Sequence, residues 1–330
     1  MKLKLLEILA CPKCGGDLGC EARETVDGGE VQESELPCAA CGARHPVEGG
    51  IPRFVPRDNY AASFGYQWNR FRLEQIDSAN GTGLSAARFY SETEWTPEWM
   101  RGRWVLDAGC GAGRFLDVAA AAGAEAVGAD ISSAVDASKE NLRRRPNAHF
   151  VQASVLELPF KPGAFDGVYC IGVVQHTPDP TGVLRSLPRV LKGGGRLAVT
   201  IYERKPWTML NGKYLVRPLT KRVPKEKLLR GIRAAMPVLF PLTDAVFRLP
   251  VVGRVFSFAI PVANYVRERS LSRAQRYDWA VLDTFDMLAP QYDQPQRQAD
   301  VEKALSEQGV VELRRLAQPG LNIVGRKAGG

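Results

Sequence analysis

Four cysteines stand in two C-x-x-C knuckles, Cys11-Pro12-Lys13-Cys14 and Cys38-Ala39-Ala40-Cys41, each followed by glycine and separated by 23 residues. Each knuckle can aim two thiolates at one point, and four thiolates satisfy tetrahedral Zn²⁺. The spacing slightly exceeds the commonest range, and an internal hairpin around Asp27-Gly28-Gly29 would absorb the excess. Two disulfides are the alternative. They are disfavoured because Cys110 and Cys170 sit singly in apolar runs, a usage that suits a reducing cytoplasm. A redox role is disfavoured because there are two knuckles and no thioredoxin-like βαβ pattern around either. Cys20 falls outside the pattern, and His45 is expected at the surface or in a hairpin.

A second chemistry-bearing stretch opens with the apolar run Val105-Leu106-Asp107-Ala108 and passes through Gly109-Cys110-Gly111-Ala112-Gly113 into Arg114-Phe115. Glycines suit such a loop because a Cβ would hold a ligand away from the backbone, and because some turn positions need positive φ. A dinucleotide fingerprint would require glycine at position 114, where Arg114 stands, and a phosphate loop would require a following Gly-Lys-Ser/Thr. The spacing instead reads G-x-G-x-G. Asp130 closes the next apolar run, and its two oxygens can accept from two ribose hydroxyls. Taken singly, these glycines also fit an ordinary strand-to-helix turn and Asp130 an ordinary helix cap; together they point to a nucleoside site. Further on, His176 in Gln175-His176-Thr177-Pro178 is placed to take a proton or orient an acceptor, the alternative being a helix-entry histidine bonded to backbone. Upstream, Gln67 and Trp68 are expected as roof residues over a ligand, with plain packing the alternative for Trp68.

The elements that must position these groups follow from periodicity. Met1 to about Pro56 is rich in Gly, Cys and turn residues, so its small core needs a metal. Between Tyr60 and Met100, aromatic residues at helical spacing on either side of Asn80-Gly81-Thr82-Gly83 predict two helices. From Trp104, short apolar runs alternate with amphipathic segments, which predicts a parallel sheet with helices on both faces. About ninety residues then intervene before a helix near 299–308 and two closing strands, too many for a simple connection. The expected architecture is α/β: a Rossmann-like doubly wound sheet (101–203 and 298–330) with a helical lid insertion (204–297), a helical cap or linker (58–100) and a small N-terminal zinc ribbon (1–57).

The run LDAGCGAGRF, then AVGADIS, VQASVLELPF, FDGVYCIGVVQHTPDP and LKGGGRLAV, resembles the ordered motifs of class I S-adenosylmethionine-dependent methyltransferases, over Trp104 to about Glu203 plus the terminal helix and hairpin. The resemblance implies S-adenosylmethionine as cofactor. It puts Asp107, Ala108, Gly109, Cys110, Gly111 and Gly113 around the methionine portion and Asp130 with Ile131 at the ribose. Ser154 and Val155 would border the adenine, and Ile171 would line the cleft. Many relatives carry Asp where this chain has Ser154. The fourth motif looks like that of small-molecule enzymes, including quinone-pathway methyltransferases. LLEILACPKCGG and CAACGARHPVEGGIPRF resemble the small zinc-ribbon proteins that activate tRNA and protein methyltransferases, which implies structural Zn²⁺ on Cys11, Cys14, Cys38 and Cys41.

Charge is concentrated. The formal net charge is +8, and Arg204 to Arg233 holds ten Lys or Arg against the single acid Glu226, so the rest of the chain is near neutral. The Pro-broken apolar stretch MPVLFPLTDAVFRLPVVGRVFSFAIPVANY follows. No run is long and apolar enough to span a bilayer, and the basic start runs into cysteines rather than a cleavage site. The expected setting is cytoplasmic, with 204–266 either a helical lid with a solvated basic face or a peripheral membrane contact. A small-molecule acceptor, anionic or lipid-linked, suits these features. RNA is the competing acceptor, because ten cations could track phosphates, and a non-catalytic partner-binding scaffold is the alternative from another class.

Overall fold

The computed structural model describes residues 1–26, 30–56 and 59–329. At the N-terminus, α1 (Leu3–Leu6) precedes a four-stranded antiparallel sheet of β1 (Glu21–Val26), β2 (Glu30–Pro37), β3 (Arg44–Glu48) and β4 (Ile51–Pro52) in that order. β1 and β2 pair antiparallel; the hairpin tip expected at Asp27-Gly28-Gly29 lies outside the described residues. Four helices follow where two were expected: α2 (Ala62–Arg70), α3 (Asp77–Asn80), α4 (Leu84–Thr93) and α5 (Pro97–Met100). The extra two are single turns, too short to show a period in sequence. One is tied down by Asp77, whose carboxylate accepts from the Ser85 and Ala86 amides, and the other by a Thr96 cap.

The central sheet contains β5 (Trp104–Ala108), β6 (Glu125–Asp130), β7 (Ala148–Gln152), β8 (Phe165–Ile171), β9 (Leu191–Ile201), β10 (Val310–Arg315) and β11 (Leu321–Lys327), in the order β10-β11-β9-β8-β5-β6-β7. The five strands from β9 to β7 are parallel, and β11 and β10 close one edge antiparallel. Successive residues serve opposite faces. Leu106, Val127, Val151 and Val168 pack with α8 (Pro180–Ser186), α13 (Gln298–Ser306) and the ribbon residues Met1, Leu5 and Leu9. Val105, Ala126, Phe150 and Tyr169 pack with α6 (Arg114–Ala121), α7 (Ala134–Asn141) and the cap residues Phe89 and Trp95. Both faces are thus buried, as a parallel sheet requires.

The insertion holds α9 (Gly212–Thr220), α10 (Lys225–Phe247), α11 (Val252–Ala259) and α12 (Arg273–Leu288). The apolar stretch expected to be broken by proline is broken at Pro250 and Pro261, which lie outside the helices, but not at Pro237 and Pro241, through which α10 runs. Both prolines are exposed and four residues apart, so the carbonyls they leave unpaired lie on the solvent side and can be hydrated. α12 begins with a Ser272–Gln275 capping box. Arg276 on α12 bonds Asp244 of α10 and Asn264, and Trp279 Nε1 donates to the Glu74 carbonyl (2.9 Å), which ties the insertion to the cap helices.

Candidate active site and metal centre

β5 pairs with both β6 and β8, so the connections from it run to opposite sides and leave a crevice at the carboxyl ends of the strands. The loop after β5 occupies that point. Gly109, Gly111 and Gly113 have φ of +93°, +51° and +90°, a region closed to most side chains. A Cβ on Gly109 would come 2.4 Å from Val173, while one on Gly111 would come 3.2 Å from the Trp68 indole. The glycine at 109 therefore serves the turn and its packing. Gly111 is the one that lies beneath Trp68 at the cavity wall.

Asp130, at the end of β6, accepts from the Gly111 amide at 2.9 Å and, through its other oxygen, from the Ser132 amide and hydroxyl at 2.8 and 2.7 Å. It caps its own turn and braces the glycine loop at once. With about four lone pairs on a carboxylate and three engaged, it keeps room for one more donor, where two had been expected. Burial pushes its carboxyl above the usual range, and the three hydrogen bonds oppose that.

A cavity of about 730 Å³ opens over this loop, within the roughly 300–1,000 Å³ of small-molecule sites. Of the residues expected at a cofactor, Gly109, Cys110, Gly111, Asp130, Ile131, Val155 and Ile171 line it. Asp107, Ala108 and Gly113 lie behind the loop, and Ser154 turns its hydroxyl to the Leu156 amide (3.2 Å). Asp107 is buried beside the Tyr169 hydroxyl; burial holds its carboxyl well above the ordinary range, against the opposing effect of that hydroxyl.

Trp68 and His176 line the cavity. His176 is buried between Phe64 and Tyr202, with ring centroids 5.2 and 5.5 Å away, and its Nδ1 is 3.0 Å from the Tyr292 carbonyl. A carbonyl only accepts, so Nδ1 carries the proton and Nε2 keeps a free lone pair. Gln67 is not among the residues lining the cavity: it is buried, with its side-chain amide against the Asp286 carboxylate. His45, expected at the surface or in a hairpin, stands on β3, paired antiparallel with β2, and is buried against Phe54 with Nε2 3.7 Å from Cys11 Sγ.

Several lining residues carried no sequence signal. Asp283 and Asp286 come from α12, Lys213 from α9, and Arg88 and Arg114 from α4 and α6. Burial, then the neighbouring Asp286, pushes Asp283 up to about 7, against the pull of Arg114 and Arg88. Lys213 binds Asp293 at 2.7 Å and stands over the Tyr202 ring. Asp283 and Asp286 stand three apart on α12, but Arg273, Arg276 and Asp278 on the same helix kept that pair from standing out in the sequence.

In the ribbon, Cys11 and Cys41 Sγ are 3.7 Å apart and Cys14 and Cys38 Sγ 3.4 Å, with all four within 4.8 Å of one another. Sulfurs on tetrahedral zinc at about 2.3 Å stand roughly 3.8 Å apart, whereas a disulfide needs about 2.05 Å. The four thiols therefore fit one zinc ion. Each knuckle is closed by a glycine amide, Gly15 to the Cys11 carbonyl and Gly42 to the Cys38 carbonyl, at φ of +75° and +71°.

Fold and site together describe a Rossmann-like domain with a crevice over its glycine loop, joined to a small ribbon that clusters four cysteines. Residues 106–199 match the family model described as methyltransferase domain, and residues 2–50 match the one described as Trm112p-like protein. Among relatives, a ubiquinone biosynthesis O-methyltransferase of Xanthomonas euvesicatoria pv. vesicatoria (strain 85-10) is 31% identical over 129 residues, 37% of this chain and 54% of that protein. Its namesake from Albidiferax ferrireducens (strain ATCC BAA-621 / DSM 15236 / T118) is 35% identical over 111 residues, 32% of this chain and 44% of that protein. The chain spans about half the length of the curated relatives it matches. A solved complex of the Haloferax volcanii Trm112 methyltransferase activator with a methyltransferase has a TM-score of 0.46 at 14% identity, covering 81% of this chain and 98% of that one.

Proposed function

We propose that this chain is an S-adenosylmethionine-dependent methyltransferase acting on a small-molecule acceptor, with Cys11, Cys14, Cys38 and Cys41 holding a structural zinc ion. The observation that carries the reading is a single cavity joining the G-x-G-x-G loop and Asp130 to His176 and to polar residues of the insertion. The bound cofactor supplies an electrophilic methyl on a sulfonium. The protein's share is alignment and exclusion of water. Gly111 and Cys110 offer backbone at the loop, Asp130 keeps one acceptor site for a ribose hydroxyl, and Ile131, Val155 and Ile171 offer apolar walls. Trp68 and Phe64 roof the site. The free Nε2 of His176 is suited to hold or take the acceptor's proton, and the relatives' names support an oxygen acceptor. Asp283, Asp286 and Lys213 would orient the acceptor's polar end. The acceptor in this reading also has an apolar portion, and the protein works in the cytoplasm with 204–266 against a membrane surface.

The test is incubation of the purified protein with methyl-labelled S-adenosylmethionine and cell extract, followed by separation into RNA, protein, lipid and polar metabolite fractions. Label in the lipid or metabolite fraction supports the reading. Label in RNA replaces the acceptor class, and label nowhere favours a non-catalytic scaffold.

A further inference from the structure

α10 is apolar on two opposite sides. Leu229, Ile232, Met236 and Phe240 recur at helical spacing and are buried in a cluster with Val281 and Phe285 of α12, and Phe247 is buried further along. At 100° per residue, Ala234, Val238, Leu242, Ala245 and Leu249 form a second stripe about half a turn away. That stripe is bare: Val238 is 69% exposed and Leu242 53%. The neighbouring helices do the same. α9 exposes Leu215 and Leu219, four apart, at 72% and 70%, and α11 exposes Val252, Val255 and Phe256. Thirteen of the seventeen exposed large hydrophobic side chains among the described residues fall between Trp207 and Phe256. α11 packs on both α10 and α9, so closely on α9 that a Cβ on Gly212 would strike the Ala259 carbonyl. A face of this kind on a soluble chain needs an apolar partner.

The charges beside it select the partner. Arg204, Lys221, Arg222, Lys227 and Arg230 are exposed and have no carboxylate partner among the described residues. Bare apolar stripes with unpaired cations on α10 (Lys227, Arg230) and in the segments flanking α9 (Arg204, Lys221, Arg222) complement a surface that is apolar within and anionic at its rim, which is an acidic bilayer. A track for RNA would set cations among polar and stacking groups; here the exposed large hydrophobic side chains among the cations are Met209, Leu210, Leu215, Leu219 and Val223, with Trp207 the one aromatic. One further observation links this face to the cavity. Ser257, on α11, is exposed and also lines the cavity, while the adjacent Phe256 belongs to the bare face.

We propose that α9–α11 lie on anionic lipid, with an apolar acceptor entering the cavity from the lipid past Ser257. The entry route rests on the methyltransferase reading; the lipid contact does not.

The experiment is co-sedimentation of the full-length, zinc-loaded protein with vesicles of phosphatidylglycerol and phosphatidylcholine, and with phosphatidylcholine alone. Binding to the anionic vesicles only, weakened by salt and lost at least about tenfold in a Val238→Glu, Leu242→Glu, Val255→Glu variant, is the expected result. The same samples are titrated with S-adenosylmethionine and melted, and both properties should be unchanged in the variant. Equal binding to both vesicle types, or to neither, overturns the proposal. So does a parent dimer that the variant converts to monomer, since a second copy then covers the face, or salt-dependent RNA binding without vesicle binding. Vesicle binding without cofactor binding leaves the lipid contact standing and removes the methyltransferase reading.

Discussion

His176 is held by its back. Phe64 and Tyr202 flank the ring, and Nδ1 donates to the Tyr292 carbonyl, so Nε2 is the nitrogen left for an acceptor. His176→Ala should lower kcat by about 10²–10⁴-fold if Nε2 takes the proton, with S-adenosylmethionine affinity within a few fold of the parent. An unchanged kcat would reduce His176 to packing. Asp283 makes a prediction about stability. Its carboxyl is raised from 3.8 to about 7, chiefly by burial. A raised carboxyl favours folding in its protonated form, so this contribution is complete below its unfolded value and is lost as pH rises through about 7. Asp283→Asn should therefore gain stability relative to the parent across that window and keep a constant margin above it, as read by urea denaturation at a series of pH values. His176 was visible in the sequence because it follows a strand motif. Asp283, Asp286 and Lys213 were not, because they reach the cavity through the tertiary path of an insertion whose helices carry no motif.

The ribbon acts as a cover for a sheet edge. β7 is the last strand of the central sheet, and its outer side is met by Arg53 and Phe54: the Phe54 amide donates to the Gln152 carbonyl at 2.8 Å, and Arg53 binds Asp136 and Gln152. Ala10 and Lys161 add backbone bonds to Pro159 and Ile8. An uncovered edge strand invites association, so a metal held by the knuckles would also protect the edge. Zinc chelation, or Cys38→Ser, should lower the melting midpoint by at least about 5 °C and promote aggregation, before methyl transfer per folded molecule changes. A chelated protein with an unchanged midpoint would contradict this. The knuckles were legible because ligand spacing is local. The docking was not, because Arg53 and Gln152 are a hundred residues apart with nothing in either that marks a partner. α10 was misread for a related reason: its prolines look like breaks until the helix is seen to turn them to solvent.

At the scale of the molecule, the glycine loop after β5, Asp130 after β6 and His176 after β8 converge because parallel strands present all their carboxyl ends on one side. The alternation of strands and helices was enough to foresee that side and the loop upon it. The acceptor half of the cavity was beyond reach, since it is built from chain ends that meet only once the insertion folds back. Whether this crevice binds S-adenosylmethionine is read by calorimetric titration of the zinc-loaded protein with that compound and with S-adenosylhomocysteine. The account predicts saturable binding of both at a single site, weakened roughly ten- to a hundredfold in Asp130→Ala, where a hydrogen bond to a charged acceptor worth about 1.5–3 kcal/mol is lost. No binding of either compound by the folded protein, or equal binding by the variant, would contradict it.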